Sequence, residues 1–339
     1  MEPLNVYDYE RLARERLDEN AWEYFRGGAG DESTLRENIA AFARWKLRPR
    51  VLVDVTGVDT STKVLGTTVS APILVAPVAL QQFAHAEAEA ATARAAARAG
   101  TIMVLSTSAT MRPAAVAAAA PGAPRWFQVY VFRDRGITQS LIDEACSHGY
   151  SALVLTVDVP ILGRREGADR IGFHIPDEFE VAGDIFGDID PSLSWRDLEW
   201  IAEHGLPVVL KGVLTPEDAR LAVEHGAAAV VVSNHGGRQL DGVPASIDVL
   251  PQVMEGVEGR AEVLLDSGVR RGVDVLRALA LGARAVLVGR PIVYALAAGG
   301  EEGVVHVLQL LRDEVELGLR LLGCTSPADV TREHVEWTP

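Results

Sequence analysis

From residue 71 onward, apolar residues gather in eight short runs: APILVAPVA (71–79), TIMVLST (101–107), RWFQVYV (125–131), ALVLTVD (152–158), PVVLKGV (207–213), AAVVVSN (228–234), EVLLDSGV (262–269) and AVLVGRP (285–291). They are rich in β-branched residues and lack strict polar–apolar alternation, as expected of parallel strands buried on both faces. Between them the spacing turns helical, in EAEAATARAAARAG, RPAAVAAAA, ITQSLIDEACSHG, SWRDLEWIAEHG, TPEDARLAVEHG, ASIDVLPQVMEG and RGVDVLRALALG. Several of these close on a glycine suited to the position after a helix end. In TPEDA, Thr215 is placed to cap the helix and Pro216 to open it. Strands alternating with helices eight times predict an α/β fold, a (β/α)8 TIM barrel. The alternation carries this reading, since no internal repeat does.

Residues 1–70 stand outside the barrel as an N-terminal helical extension. Helices are predicted over 7–18, near 19–26 and near 31–43, with the glycine-rich turn RGGAG before the last. Residues 71–300 form the barrel. The stretch 166–193, with its GDIFGDIDPS, reads as a lid-like mobile loop after the fourth strand. Residues 301–339 supply an amphipathic closing helix, VVHVLQLLRDEVELGLRLLG, and a tail. No linker separates these parts, so 1–339 is expected to be one domain.

Composition narrows the function. Hydrophobic residues make up 48% of the 339, ample for a core of this size. No apolar run reaches the ~18 residues of a membrane span, and the polar, acidic start does not resemble a signal peptide. The only cysteines, Cys146 and Cys324, form no disulfide framework and suit the cytoplasm. A net charge of −15 argues against nucleic acid or an anionic membrane as partner. An anionic substrate would need locally clustered arginines.

Barrel enzymes carry their chemistry at the C-terminal ends of the strands. Here those ends hold Ser106 and Thr107, Gln128 and Tyr130, Thr156 and Asp158, Lys211, Ser233 to His235, Asp266 and Arg290, residues that a pure core would avoid. The turns after the seventh and eighth strands, LLDSGVRRG and LVGRP, read either as tight βα turns or as a phosphate site, with glycines admitting backbone amides and arginines adding donors. Lys211 is either a snorkelling edge residue or a cation held against a ligand. His148, His204 and His225 precede glycines at helix ends, where the dipole favours them. His306 and His334 read as structural, and His85 stays open. His235 lies between a strand end and GG, where its ring can face a cavity. No histidine pair has metal-ligand spacing, so no metal site is expected.

These residues resemble the FMN-dependent 2-hydroxy-acid oxidases and dehydrogenases, the family of glycolate oxidase, lactate oxidase and mandelate dehydrogenase. SNHGGRQLDG (233–242) is the most specific element, with WFQVYV, LTVDVPILGRRE, LKGV, LLDSGVRRGVDVLRALALGA and VLVGRP following in matching order; the likeness runs from Tyr7 to about Cys324. The resemblance implies FMN as cofactor and a homotetramer. It implies His235 as general base, Asp158 as its partner, Arg238 and Arg164 gripping the substrate carboxylate, and Tyr24 and Tyr130 bonding the carboxylate and hydroxyl. For FMN it implies Pro77, Ala79, Ser106, Gln128, Thr156 and Ser233 at the ring and ribityl chain, Lys211 at the ring edge, and Asp266, Gly268, Arg270, Gly289 and Arg290 toward ribityl and phosphate.

Three departures stand out. The segment after Arg165 is short, position 108 is serine where glycolate oxidase carries a bulky aromatic, and the first strand ends APVA. The expected activity is oxidation of an (S)-2-hydroxy acid to the 2-oxo acid, with oxygen as acceptor giving hydrogen peroxide; the alternative is a dehydrogenase passing electrons to a quinone or carrier protein. Ser108, beside Val78, is expected to widen the pocket for medium or aromatic substrates, unless Phe186 or another lid residue refills the space.

Overall fold

In the computed structural model, which describes residues 2–179, 181 and 188–338, each of the eight apolar runs forms a parallel strand. In chain order the strands are β1 (Trp45–Leu47), β2 (Thr62–Val64), β3 (Thr67–Val69), β4 (Ile73–Val75), β5 (Met103–Leu105), β6 (Arg125–Val129), β7 (Leu153–Thr156), β8 (Val208–Val213), β9 (Ala229–Val232), β10 (Glu262–Leu265), β11 (Ala285–Val288) and β12 (Val335–Trp337). Strands β4 to β11 close into a barrel, with β11 returning to pair with β4.

Strand geometry decides what faces where, because residues two apart share a face. Val75, Leu105, Phe127, Leu155, Leu210, Val232, Leu265 and Val288 join the large core between barrel and helices. Leu74, Val104, Trp126, Val154, Val209, Val231, Leu264 and Leu287 form a second cluster inside the barrel. Two residues beyond each member of that inner row lie Ala76, Ser106, Gln128, Thr156, Lys211, Ser233, Asp266 and Gly289. The inner face thus turns largely polar at one end of the barrel.

The other end is plugged. The β2–β3 hairpin adds Val64 and Val69 to the inner cluster, and Leu65 packs on it. The Leu65 amide donates to a carboxylate oxygen of Glu262, the first residue of β10, at 3.0 Å. Sequence patterning does not reveal this hairpin, nor the antiparallel pairing of β1 with β12 that ties the end of the N-terminal helical segment to the C-terminal tail. Three-residue strands have too few positions to show a period.

The three N-terminal helices form as Val6–Arg16, Glu19–Arg26 and Ser33–Ala40, the first two capped by Asn5 and Asp18. Where a loop is expected after Arg165, the chain makes a short helix, Glu166–Ile171, and later Ile189 bridges to Phe132. Phe186 lies outside the described residues. The closing helix starts earlier than expected, at Arg290, and runs to Leu322 with a break at Gly299 and Gly300.

Candidate active site

The loop after β9, SNHGGRQLDG, divides its residues between two tasks. His235, Gly236 and Gly237 take consecutive left-handed conformations, with φ of 58°, 66° and 73°. That conformation is costly for histidine and free for glycine. A Cβ on Gly237 would lie 2.6 Å from the Leu35 nitrogen, and one on Gly236 would lie 2.7 Å from Nη1 of Arg290. The backbone therefore passes against the N-terminal segment with no space for side chains. Asp241 then receives the start of helix Ser33–Ala40, accepting from the Thr34 amide at 2.8 Å and the Ser33 hydroxyl at 2.8 Å. Desolvation pushes its carboxyl up, but these hydrogen bonds prevail and hold it at about 2. Asn234 and Asn38 exchange two buried hydrogen bonds, at 2.7 and 2.8 Å. The outer half of the loop clamps the N-terminal helices, and the turn aims His235 into the barrel mouth.

His235 Nδ1 lies 2.9 Å from Oδ1 of Asp158, and its Nε2 lies 3.4 Å from the Tyr130 hydroxyl. With Nδ1–H donated to the carboxylate, Nε2 keeps a lone pair facing the cavity. Burial lowers the imidazole pKa; Asp158 opposes this, while Lys211 and Arg238 add to it. Burial alone would raise Asp158, but His235 and Lys211 outweigh it and keep the carboxylate ionised. Lys211 Nζ sits 3.2 Å from Asp266 Oδ2 and donates to Ser233 Oγ at 3.1 Å. Burial opposes its charge, yet Asp266 and Asp158 raise its pKa.

Arginines ring the mouth. Arg238 donates from Nη1 to the carbonyls of Tyr24 at 2.8 Å and Gly27 at 2.9 Å, with its guanidinium 5.2 Å from the Tyr24 ring centre. Burial, then Arg165, lowers its pKa well below the ordinary value. Arg290 spends three donors on the carbonyls of Phe25, Gly236 and Gly27, leaving two of its five N–H groups. Burial first, and then Arg270 and Arg165, lowers it to about 10.

One assignment requires correction. Arg164 points outward, its side chain 78% exposed and paired with Asp169 at 2.9 Å. Arg165 is the arginine on the cavity wall, and its buried Nε has no hydrogen-bond partner among the described residues. The arginines are adjacent in sequence, outside any strand, so no period tells which faces inward. Ser233 is a second, smaller correction. It does not line the cavity, and its hydroxyl accepts from both Lys211 and the His235 amide. Asp158 likewise stands behind His235. His85 is outside the cavity, its Nδ1 accepting from the Glu87 amide.

The remaining expected residues meet at one cavity: Tyr24, Pro77, Ala79, Ser106, Ser108, Gln128, Tyr130, Thr156, Lys211, His235, Arg238, Asp266, Gly268, Arg270, Gly289 and Arg290. Phe25, Leu162 and Ile189 are among the wall residues that sequence reading missed. Leu162 and Ile189 belong to the connection after β7, where no periodic signal marks a wall residue.

The cavity chemistry suits a flavin mononucleotide. Buried polar atoms normally find partners, yet Gln128 Nε2, Thr156 Oγ1 and Arg270 Nε, all at this wall, have none among the described residues. The long helix opens at Arg290, so its N-terminus and Arg270 favour an anion at the far end. A polar ring system with a single phosphate tail would satisfy these groups.

Comparison with known proteins agrees. The model of the FMN-dependent dehydrogenase family matches residues 13–337, and the chain belongs to that family. An L-lactate oxidase of Nostoc sp. is 48% identical over 97% of this chain and 96% of its own. Glycolate oxidase of Spinacia oleracea is 48% identical over 99% of this chain and 96% of its own. Among solved structures, one of mandelate oxidase has a TM-score of 0.95 at 41% identity, and one with (S)-2-phenylpropionate has 0.94 at 42%; both cover 99% of each chain.

Proposed function

We propose that this protein oxidises (S)-2-hydroxy acids with medium or aromatic side chains to 2-oxo acids, with oxygen as final acceptor giving hydrogen peroxide. The His235–Asp158 pair, facing Arg165 and Arg238 across one cavity, carries the reading. A base opposite paired arginines fits a substrate with a carboxylate beside a hydroxyl.

Bound FMN supplies the two-electron acceptor; the protein supplies orientation and charge. Arg165 and the remaining donors of Arg238 hold the substrate carboxylate, with Tyr24 beside them. Tyr130, whose phenol burial keeps protonated, donates toward the hydroxyl oxygen. His235 Nε2 takes a proton from the substrate, and Asp158 stabilises the imidazolium that results. Lys211 holds positive charge, and Pro77, Ala79, Ser106, Gln128 and Thr156 flank the ring. Ser233 acts behind this wall, while Asp266, Gly268, Arg270, Gly289 and Arg290 serve the ribityl and phosphate end.

Specificity is read at Ser108. It is 1% exposed, lines the cavity, and its hydroxyl has no hydrogen-bond partner among the described residues. A serine at this wall leaves space for carbon. Each buried CH₂ adds about 0.8 kcal/mol, so a few carbons shift kcat/KM by roughly tenfold to a hundredfold. Purified yellow protein should bleach under nitrogen with mandelate or 2-hydroxyoctanoate and recover in air. Both should surpass glycolate and lactate in kcat/KM, and Ser108→Trp should invert the order. Glycolate leading in the wild type would refute the specificity.

The same reading makes residues 1–339 a single FMN-binding unit acting as a homotetramer in the cytoplasm. Exposed Val51, Leu52 and Val53 support burial between subunits, and two unpaired cysteines suit a reducing compartment. A monomer in light scattering would refute the assembly.

A further inference from the structure

The helix Ala88–Arg98 carries a carboxylate with no exposure to solvent. Glu89 is 0% exposed, and its Oε1 accepts from the amides of Gln81 at 3.1 Å and Thr110 at 3.0 Å, while Oε2 accepts from the Thr110 hydroxyl at 2.7 Å. Burial raises its pKa, opposed by these donors on Thr110 and Gln81 and by its own backbone amide.

The two donor residues belong to different loops. Gln81 opens a short turn in the connection after β4, two residues beyond Ala79, and Thr110 lies two residues beyond Ser108 in the loop after β5. A second strut backs the first: Gln81 Oε1 accepts from Thr92 at 2.6 Å, and its Nε2 donates to the Val78 carbonyl at 3.3 Å. The loops also touch directly, the Leu80 amide donating to the Ser108 carbonyl at 3.2 Å. Glu89, Gln81, Thr92 and Thr110 do not line the cavity, whereas Val78, Ala79, Ser106 and Ser108 do.

We propose that Glu89 is a positioning residue that locks the loop flanking the FMN ring to the loop carrying Ser108, and so sets the seat of the ring and the room for the substrate side chain together. This rests on the function proposed above. Three donors converge on Glu89, and two of them are amides that cannot reverse. The third is a hydroxyl, which can accept instead. A glutamine can therefore take over the whole arrangement, with its oxygen on the two amides and its NH₂ on the hydroxyl. An alanine leaves both amides buried and unpaired. The role thus depends on hydrogen-bond geometry and needs no charge.

The test compares Glu89→Gln, Glu89→Ala and Thr110→Val in the full-length protein. FMN affinity is read by fluorescence quenching on titrating the apoprotein, the ring environment by visible circular dichroism, and the pocket by the mandelate-to-glycolate ratio of kcat/KM. Glu89→Gln should stay within about threefold of wild type on every measure. Glu89→Ala should weaken FMN binding, alter the visible spectrum and shrink the ratio by roughly tenfold, mainly through KM for mandelate. Thr110→Val, which keeps the amide and loses the hydroxyl, should fall between them; it decides the matter if the alanine variant does not fold. Unchanged spectra and ratio in both Glu89→Ala and Thr110→Val would overturn the proposal, as would a glutamine variant as impaired as the alanine. FMN affinity and dichroism need no substrate. A wild type inert toward hydroxy acids would therefore refute the function, while a perturbed ring in Glu89→Ala would still support the positioning role.

Discussion

At its N-terminal end the barrel is stoppered by the β2–β3 hairpin, where Val64 and Val69 continue the apolar interior of Leu74, Val104 and Val154. At its C-terminal end the same strands lead into Ser106, Gln128, Thr156, Lys211 and Asp266, all buried. Lys211 and Asp266 satisfy each other there, but Gln128 Nε2, Thr156 Oγ1, Arg165 Nε and Arg270 Nε have no hydrogen-bond partner among the described residues. An unpaired buried polar group costs about 1–3 kcal/mol, whereas at the plugged end the hairpin meets an apolar interior. One end stabilises the fold, and the other keeps polar groups in reserve for what binds. Substitutions should therefore separate stability from function according to height in the barrel.

The largest expected effect lies at the polar end. His235→Gln should retain FMN but lose roughly 10²–10⁴-fold in the rate of anaerobic bleaching by substrate, with thermal unfolding of the loaded protein little changed. A near-normal rate would assign the base elsewhere. Next come the neighbouring arginines. Arg165→Met should raise KM by about tenfold or more, since one charge-assisted hydrogen bond contributes about 1.5–3 kcal/mol. Arg164→Met should leave KM nearly unchanged, because an exposed pair such as Arg164–Asp169 contributes little. Equal effects would place both arginines on the substrate.

Val64→Ala, at the plugged end, should do the reverse. It should lower unfolding free energy by about 2 kcal/mol, the order of a buried valine's contribution, and leave kcat and KM unaltered. The smallest effect is one of pH. Burial holds His235 below its ordinary value, so the neutral base persists into mild acid. The acid limb of kcat/KM should then fall below the ordinary histidine range. Asp158 raises the His235 pKa, so Asp158→Asn should move that limb lower still while slowing the reaction. A limb moving upward would contradict the pairing.

The barrel could be read from sequence because each strand is buried on both faces, leaving an uninterrupted apolar run, and each run ends at the polar rim. The 233–242 loop could be read because its left-handed turn demands GG directly after His235. Other features carry no local signal. The choice between Arg164 and Arg165 depends on how an irregular segment lies across the barrel mouth. Leu162 and Ile189 are ordinary apolar residues until the fold brings them to the wall. Asp241 looks like part of the chemistry in sequence, and its role as the cap of helix Ser33–Ala40 becomes visible only once two distant segments meet. Glu89 is hidden for a related reason, since its burial depends on three loops and helices packing together.

The clamp between the 233–242 loop and the N-terminal helices has a consequence for the order in which the chain is made. Thr34 is separated by 207 residues from Asp241, which caps it, and Phe25 by 265 from Arg290, which holds its carbonyl. At roughly 5–20 residues per second, the ribosome needs about 10–40 s to reach Asp241 after Thr34. Throughout that interval Phe25 and Phe42, buried in the finished protein, lack their contacts with Arg290 and the turn at Gly268. A segment made before the barrel is thus among the last to settle against it, and an intact cavity wall marks a chain synthesised past Arg290.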